Sequence, residues 1–160
     1  MAILLPDDQL AAARLSARLA TILVPDLSPR LAKLLEALEA GEPQPGSLVM
    51  SHGDFDTSQL VVAPSGLALV DLDTLCLAPA ALDTGNYIAA AAVRRISDPG
   101  AGPQILDLFM RGYHVRPEGL AWYTSTSIMR RAIFPFRTFR PQWRRGIEEL
   151  VGRAEAALAW

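Results

Sequence analysis

The chain has 160 residues, of which 51% are hydrophobic, and its formal net charge at pH 7 is −2. A chain of this length and composition can bury one substantial core, so we expect a single domain spanning residues 1–160. The slightly acidic balance excludes a global field that would attract nucleic acid, and the single cysteine, Cys76, excludes an internal disulfide and a cysteine metal cluster.

The apolar start of the chain does not indicate targeting to a membrane. Residues 1–5 are too short a run for a signal peptide or a membrane span, and Pro6 follows them directly. We therefore expect a cytoplasmic protein with neither a membrane nor a nucleic acid as a partner.

Proline, serine and glycine mark the ends of the first two helices. Pro6 is predicted to begin a helix that Pro25 limits. Ser28 is predicted to cap a second helix, which Gly41 ends. The apolar residues of the first helix include Leu10, Leu15, Leu19 and Ile22.

An apolar strand at residues 48–50 and a β-hairpin follow. Two apolar runs, residues 60–63 and 67–70, are rich in strand-forming residues, and the three turn-forming residues 64–66 connect them. Neither run alternates cleanly between apolar and polar side chains. We therefore expect helices to cover both faces of the hairpin.

The spacing within the hairpin predicts which side chains meet. If Ala63 faces Leu67 across the turn, counting back along both strands places Gln59 opposite Asp71. Directly opposed residues have Cβ atoms roughly 4.5–5.5 Å apart, which is close enough for two side-chain oxygens to share a metal ion. A register shifted by one residue would separate this pair.

The rest of the chain is predicted to be helical. Asp83 or Thr84 is expected to cap a helix that residues 97–102 interrupt, and further helices are expected after Pro103, Pro117 and Pro141.

The loop at residues 51–59 contains residues of the kind that phosphoryl transfer requires. A kinase-type site needs a carboxylate that accepts the proton of the acceptor hydroxyl, and two further oxygen ligands that hold magnesium against the nucleotide phosphates. Asp54, Gln59 and Asp71 provide that set.

These residues also resemble a known family. His52-Gly53-Asp54, followed after four residues by the amide of Gln59 and then by Asp71 at a strand end, is similar to the catalytic half of the aminoglycoside phosphotransferase and choline kinase-like family. Members of this family share the protein-kinase fold, whose corresponding runs are H-R-D-x-x-x-x-N and D-F-G.

The resemblance implies a fold. It continues through residues 79–86, which are similar to the family's segment leading into the next helix. The implied class is α+β and mostly helical: a protein-kinase-like C-terminal lobe with a small β-hairpin that carries the catalytic and metal-binding loops.

The resemblance also implies the roles of the site residues. Asp54 corresponds to the catalytic base, Asp71 to the principal metal ligand, and Gln59 to the second metal ligand in place of the usual asparagine. The implied cofactors are Mg²⁺ and ATP, and the implied acceptor is a hydroxyl of a small molecule such as an aminoglycoside. No residue is assigned to nucleotide binding from the sequence.

One part of the family pattern is missing from these residues. No glycine-rich loop precedes Asp54, and the only lysine, Lys33, lies in a helical setting. We therefore expect the N-terminal nucleotide-binding lobe to be absent, unless an upstream stretch or a partner chain provides it. The uncovered face would favour self-association or such a partner.

Two alternatives remain beside the kinase. The first is a non-catalytic remnant or pseudoenzyme that acts as a binding module. The second is a metal-dependent hydrolase that uses Asp54, Asp56, Asp71 and Asp73, of which Asp56 and Asp73 are otherwise expected to be exposed acids.

Other polar residues are predicted to have structural roles. His52 is expected to bond backbone and support the shape of its loop, and His114 to be an ordinary surface or packing residue. A late group of arginines between residues 130 and 145, interleaved with aromatics, is expected to stay in solvent while the aromatics pack.

Overall fold

Helices make up most of the fold in the computed structural model, which describes residues 1–97, 103–113 and 116–160. The described helices are Pro6–Leu23 (α1), Ser28–Ala40 (α2), Ala81–Ser97 (α3), Pro103–Gly112 (α4), Leu120–Arg130 (α5), Phe134–Arg137 (α6) and Trp143–Leu158 (α7). The prediction of a mostly helical α+β chain is confirmed. His114 and residues 98–102 of the predicted interruption lie outside the described residues.

The helix starts follow some of the sequence signals and depart from others. Pro6 begins α1, and the carboxylate of Asp8 accepts a hydrogen bond from the Leu5 backbone N–H at 2.8 Å, which stabilises the first turn. The prediction that Ser28 caps α2 is wrong, because Leu27 occupies the capping position and Ser28 is the first helical residue. Among the described helices, none has the length and apolar character that crossing a bilayer requires.

Strands from before and after the Asp54 loop form a small sheet. Its strands are Ala2–Ile3 (β1), Leu48–Ser51 (β2) and Cys76–Pro79 (β5), in the order β1-β5-β2. The central strand β5 pairs parallel with β1 and antiparallel with β2. The sequence indicated only β2, because β1 is two residues long and β5 ends in proline.

The hairpin forms, but its register differs from the prediction. Its strands are Leu60–Ala63 (β3) and Gly66–Leu69 (β4), and Ala63 pairs with Gly66 across a two-residue turn. Gly66 adopts a φ of 127°, which glycine allows, so it begins the second strand instead of belonging to the turn. Gln59 therefore lies opposite Val70, whose N–H donates to its carbonyl at 3.0 Å, and not opposite Asp71.

The prediction that helices cover both faces of the hairpin is also wrong. The side chains of β4 are exposed, and the two central residues of β3 are exposed as well. Val62 is 82% exposed and Leu67, its cross-strand partner, is 71% exposed. The described residues thus leave an apolar hairpin largely in solvent.

The core lies among helices from both parts of the chain, with α1 and α2 before the Asp54 loop and α3, α5 and α7 after it. Helix α5 is central, since α1, α3 and α7 all pack against it, and Trp122–Met129 is buried throughout. The indole N–H of Trp122 donates to the carbonyl of Leu38 at 2.8 Å, which ties α5 to the end of α2. Trp122 and Tyr123 are core residues.

Candidate active site

The loop that follows β2 is fixed by a carboxylate from α3. Asp83 accepts hydrogen bonds from the backbone N–H groups of His52, at 2.6 Å, and Gly53, at 2.9 Å. Asp83 lies inside the first turn of α3, which begins at Ala81, so the prediction that Asp83 or Thr84 caps this helix is wrong. The carboxylate instead satisfies two backbone donors of the loop that carries Asp54.

The His52 segment joins this loop to the loop that carries Asp71. Its ring Nε2 lies 2.9 Å from the carbonyl oxygen of Val70, and the hydroxyl of Thr74 donates to the His52 carbonyl at 2.7 Å. Because a carbonyl only accepts, Nε2 carries the hydrogen. Asp54 and Asp71 each lie within two residues of these contacts. The structural role predicted for His52 is confirmed.

Gly53 permits this close approach of the two loops. Its φ is +88°, and a Cβ atom at this position would lie 2.4 Å from the carbonyl oxygen of Thr74. On its other side the Gly53 carbonyl accepts a hydrogen bond at 2.9 Å from the side-chain amide of Asn86, a fully buried residue of α3. Both peptide groups of Gly53 are thus held by polar side chains of α3.

Asp54 forms an ion pair with Arg131, the residue that follows α5. The Nη2 of Arg131 donates to Asp54 Oδ1 at 2.7 Å, while Nη1 of the same guanidinium donates to the Asn86 Oδ1 and the Ser127 carbonyl, each at 3.2 Å. The Arg131 side chain is 18% exposed and that of Asp54 is 52% exposed. Burial lowers the pKa of Arg131, and the charge of Asp54 opposes that shift.

Gln59 and Asp71 lie at the base of the hairpin. Gln59 is the last residue of a short 3₁₀ helix, Thr57–Gln59, and Asp71 adopts a left-handed backbone conformation with φ 61° and ψ 54°. This left-handed residue ends the alternation of side chains between the two faces of β4. The pairing of β3 with β4 therefore does not determine the direction of the Asp71 side chain.

Comparison with known proteins identifies the family. The model of the phosphotransferase enzyme family matches residues 3–123, which include the Asp54 loop, the hairpin, Asp71 and Asp83. The chain belongs to the phosphotransferase enzyme family. The resemblance inferred from the His-Gly-Asp motif is therefore confirmed. No curated protein and no solved structure is similar enough to the chain to count as a match.

The match ends before one part of the site. Arg131 and Ser127, which complete the hydrogen bonds around Asp54 and Asn86, lie beyond residue 123. Sequence reasoning missed Arg131, because we expected the late arginines to remain in solvent. That expectation is wrong for Arg131 and for Arg130, since both side chains are half-buried and Arg130 donates to the Gln9 side chain at 2.7 Å.

Asp71 and Gln59 carry oxygen donors of the kind that bind a magnesium ion. Among the described residues, none forms a hydrogen bond or an ion pair with the Asp71 carboxylate or the Gln59 side-chain amide, so both remain available. Carboxylate and amide oxygens are hard ligands of the kind Mg²⁺ prefers. Asp71 is exposed and Gln59 is half-buried. The metal-binding roles of both residues stay predictions.

The four-acid hydrolase arrangement does not form. Within residues 1–97, 103–113 and 116–160, no three His, Cys, Asp or Glu side chains lie close enough together to hold a metal ion. Asp56 is half-buried instead of exposed, accepts from the Ser58 N–H at 2.5 Å and lies 3.6 Å from Arg94. Burial opposes ionisation of Asp56, but the Ser58 hydrogen bonds and Arg94 outweigh it and lower its pKa.

An aromatic stack borders the loop that carries Asp54. The rings of Phe55 and Tyr87 stack with centroids 5.8 Å apart, and Tyr87 stacks on Phe109 at 3.9 Å. Burial raises the pKa of the Tyr87 phenol. The stack joins the residue after Asp54 to α3 and α4. No local sequence signal indicates it, because its members are up to 54 residues apart.

Proposed function

We propose that residues 1–160 form the catalytic lobe of an ATP-dependent phosphotransferase, which transfers a phosphoryl group to a hydroxyl of a small molecule such as an aminoglycoside. We assign the fold to the C-terminal lobe of the protein-kinase type. The observation that carries the proposal is the pair of His52 contacts, to Val70 and from Thr74, which holds the Asp54 and Asp71 loops side by side. A kinase site requires these two carboxylates to act on one substrate complex.

Asp54 is the base in this proposal. Its carboxylate accepts the proton of the acceptor hydroxyl as the acceptor oxygen bonds to the γ-phosphorus of ATP and the bond from that phosphorus to the leaving ADP oxygen breaks. Arg131 holds Oδ1 of that carboxylate and is itself held by Asn86 and the Ser127 carbonyl. The second carboxylate oxygen, Oδ2, then faces the acceptor. A fixed base of this kind contributes through orientation, because positioning accounts for much of phosphoryl-transfer catalysis.

Asp71 and Gln59 are the magnesium ligands in this proposal. A magnesium ion held by them would neutralise the negative charge of the nucleotide phosphates. The left-handed conformation of Asp71 and the nearby hydrogen bonds of His52 fix the backbone position from which the Asp71 side chain extends. The side chain of Gln59, by contrast, has one more rotatable bond than that of the usual asparagine. We therefore propose that Asp71 binds the magnesium ion more tightly than Gln59 does.

The exposed hairpin supports a partner for this lobe. Val62, Leu67 and the β2 residue Met50 are 82%, 71% and 69% exposed. Such a concentration of apolar side chains beside a catalytic loop is typical of a covered surface. We propose that a nucleotide-covering segment from outside these 160 residues, or a second copy of the chain, packs on this hairpin.

Nucleotide binding tests the proposal directly. The purified 160-residue chain is titrated with ATP, with and without Mg²⁺, by calorimetry. We expect magnesium-dependent binding that Asp71→Ala abolishes and that Asp73→Ala, two residues away on the same exposed turn, leaves intact. Unchanged binding in Asp71→Ala would contradict the metal assignment.

Turnover separates the enzyme from its alternative. With an aminoglycoside or another amino alcohol as acceptor, Asp54→Asn is expected to abolish transfer from ATP while nucleotide binding persists. A chain that neither binds ATP at millimolar concentration nor transfers phosphate would favour a non-catalytic binding module instead.

A further inference from the structure

A cavity of about 580 Å³ lies between the end of α3 and the α6–α7 connection. Four arginines and one glutamate line it, together with apolar and small residues. We call it the arginine cavity, after Arg95, Arg140, Arg145 and Arg153. Asp54, Gln59 and Asp71 are not among its lining residues.

The charge of the arginine cavity is largely uncompensated. Glu149 pairs with Arg153, whose other guanidinium nitrogen donates to the Ala92 carbonyl at 2.7 Å. Within the described part of the chain, no carboxylate forms an ion pair with Arg140 or Arg145. The whole chain carries a net charge of −2, so this concentration of positive charge is local.

The connection that forms the rim is strained. Phe139, directly before Arg140, has a φ of 51° and is 90% exposed. A left-handed conformation is unfavourable for a bulky residue, and burial of the ring does not compensate for it here. The Arg140 N–H donates to the carbonyl of the buried Pro135 at 3.0 Å, which fixes where the Arg140 side chain begins. Backbone strain of this kind concentrates at functional positions.

The cavity faces away from the catalytic loop. Consecutive residues of a helix point about 100° apart. Arg94, near the end of α3, lies 3.6 Å from Asp56 of the catalytic loop, whereas its neighbour Arg95 lines the arginine cavity. The two sites therefore lie on different sides of the same helix.

We propose that the arginine cavity binds a small phosphorylated molecule at a site separate from Asp54. Guanidinium groups match the geometry of phosphate oxygens, and a phosphate group carries about −1.5 to −2 charges at pH 7. The volume falls within the range of roughly 300–1,000 Å³ that small-molecule sites occupy, and it exceeds what one phosphate ion fills. Ile96, Pro135 and Pro141 provide apolar contacts for the remainder of the ligand.

Calorimetry with inorganic pyrophosphate and glucose 6-phosphate tests this site. The titration is performed in EDTA, so that magnesium-dependent binding at Asp71 does not contribute. We expect saturable binding of at least one probe. The double variant Arg140→Gln/Arg145→Gln should weaken it at least about tenfold, because each arginine provides charge-assisted hydrogen bonds.

The matched control is Arg137→Gln/Arg144→Gln. These two arginines flank the same connection but do not line the cavity, and the Arg144 guanidinium lies over the Trp143 ring at 5.9 Å. This control should bind within twofold of the unmodified chain. Asp71→Ala should also bind normally, which separates the site from the proposed catalytic function.

Four results would overturn the proposal. They are the absence of saturable binding to the unmodified chain, an equal loss in both double variants, a loss in Asp71→Ala, and equally tight binding of succinate, which carries a similar charge without phosphate. Circular dichroism of each variant confirms that a loss of binding is not a loss of fold.

Discussion

Arg131 donates a hydrogen bond to Asp54 across 77 residues of sequence, with Nη2 and Oδ1 2.7 Å apart. The same guanidinium also donates to the side-chain oxygen of Asn86, and the side-chain N–H of Asn86 donates to the Gly53 carbonyl in the Asp54 loop. The orientation of Asp54 is therefore coupled to the packing of α3 against α5.

Replacing Arg131 should separate a loss of turnover from a loss of stability. We expect Arg131→Met to lower kcat about a hundredfold, with a much smaller change in KM for ATP, because Asp54 loses the group that orients it. Arg131→Lys should recover part of kcat. The measurement is initial-rate kinetics.

The adjacent arginine is the control for this experiment. Arg130 is also half-buried, but it binds Gln9 and does not bind Asp54. Arg130→Met should lower the melting temperature as Arg131→Met does, and it should leave kcat within about threefold. Equal losses of kcat in both variants would mean that Arg131 acts only through stability.

Gly53→Ala should be strongly destabilising. The new methyl group would meet the Thr74 carbonyl at 2.4 Å in a residue that already has a φ of +88°. Gly66→Ala is the matched control, since Gly66 has a φ of +127° but open space around it. We expect a loss of about 1 kcal/mol for Gly66→Ala and of at least about 3 kcal/mol for Gly53→Ala in urea unfolding. Equal losses would contradict the predicted clash.

Asp83→Ala should increase the mobility of the loop that carries Asp54. The substitution removes the acceptor of two backbone hydrogen bonds, so we expect a loss of about 2–4 kcal/mol in the free energy of unfolding. Hydrogen exchange at His52 and Gly53 should accelerate in parallel. Asp73→Ala, at an exposed position, should change stability by less than about 0.5 kcal/mol. Unchanged exchange in Asp83→Ala would mean that the loop is held by other contacts.

Tyr123 should make the protein sensitive to alkaline pH. Burial raises the pKa of its phenol to about 12 from an ordinary value of 10.0, and its hydroxyl is buried without a partner among the described residues. Between these pH values the unfolded chain releases the phenolic proton and the folded chain retains it. The contribution of Tyr123 to stability is therefore fully present below pH 10 and lost as pH rises through 12, with a slope of up to about 1.4 kcal/mol per pH unit.

Tyr123→Phe tests this pH dependence. The variant should be at least as stable as the unmodified chain at pH 7, because it removes an unsatisfied buried hydroxyl, and its stability should decline less between pH 10 and 12. Tyr113→Phe, at an exposed position, should leave the pH profile unchanged. An identical alkaline decline in Tyr123→Phe would assign the effect to other groups.

The hairpin should contribute to self-association or partner binding and should contribute little to the free energy of unfolding. Val62→Lys/Leu67→Glu places opposite charges at a directly paired, exposed position. We expect this variant to keep its unfolding free energy within about 0.5 kcal/mol and to weaken self-association or partner binding in sedimentation velocity. Leu15→Lys/Leu19→Glu, on the exposed face of α1, is the control. A chain that stays monomeric at every concentration and binds no partner would contradict this surface assignment.

The sequence by itself determined the local elements and the family. Prolines marked the starts of α1 and α4 because proline fits the first turn of a helix. The apolar runs on either side of residues 64–66 indicated the hairpin, and the motif around Asp54 indicated the family. Each of these signals lies within a few consecutive residues, which is the range over which backbone sterics and spacing act.

Only the tertiary structure decided which sides of these elements are buried and which distant groups meet. Helix α1 buries Ala13, Ala17 and Ala20 and leaves Leu15 and Ile22 exposed, because close packing against α5 favours small side chains there. The hairpin register depended on one glycine dihedral. The partner of Asp54 comes from the end of α5, and the partners of the His52 and Gly53 backbone come from α3. Such contacts depend on how the helices pack. The spacing of residues along the chain does not determine that packing.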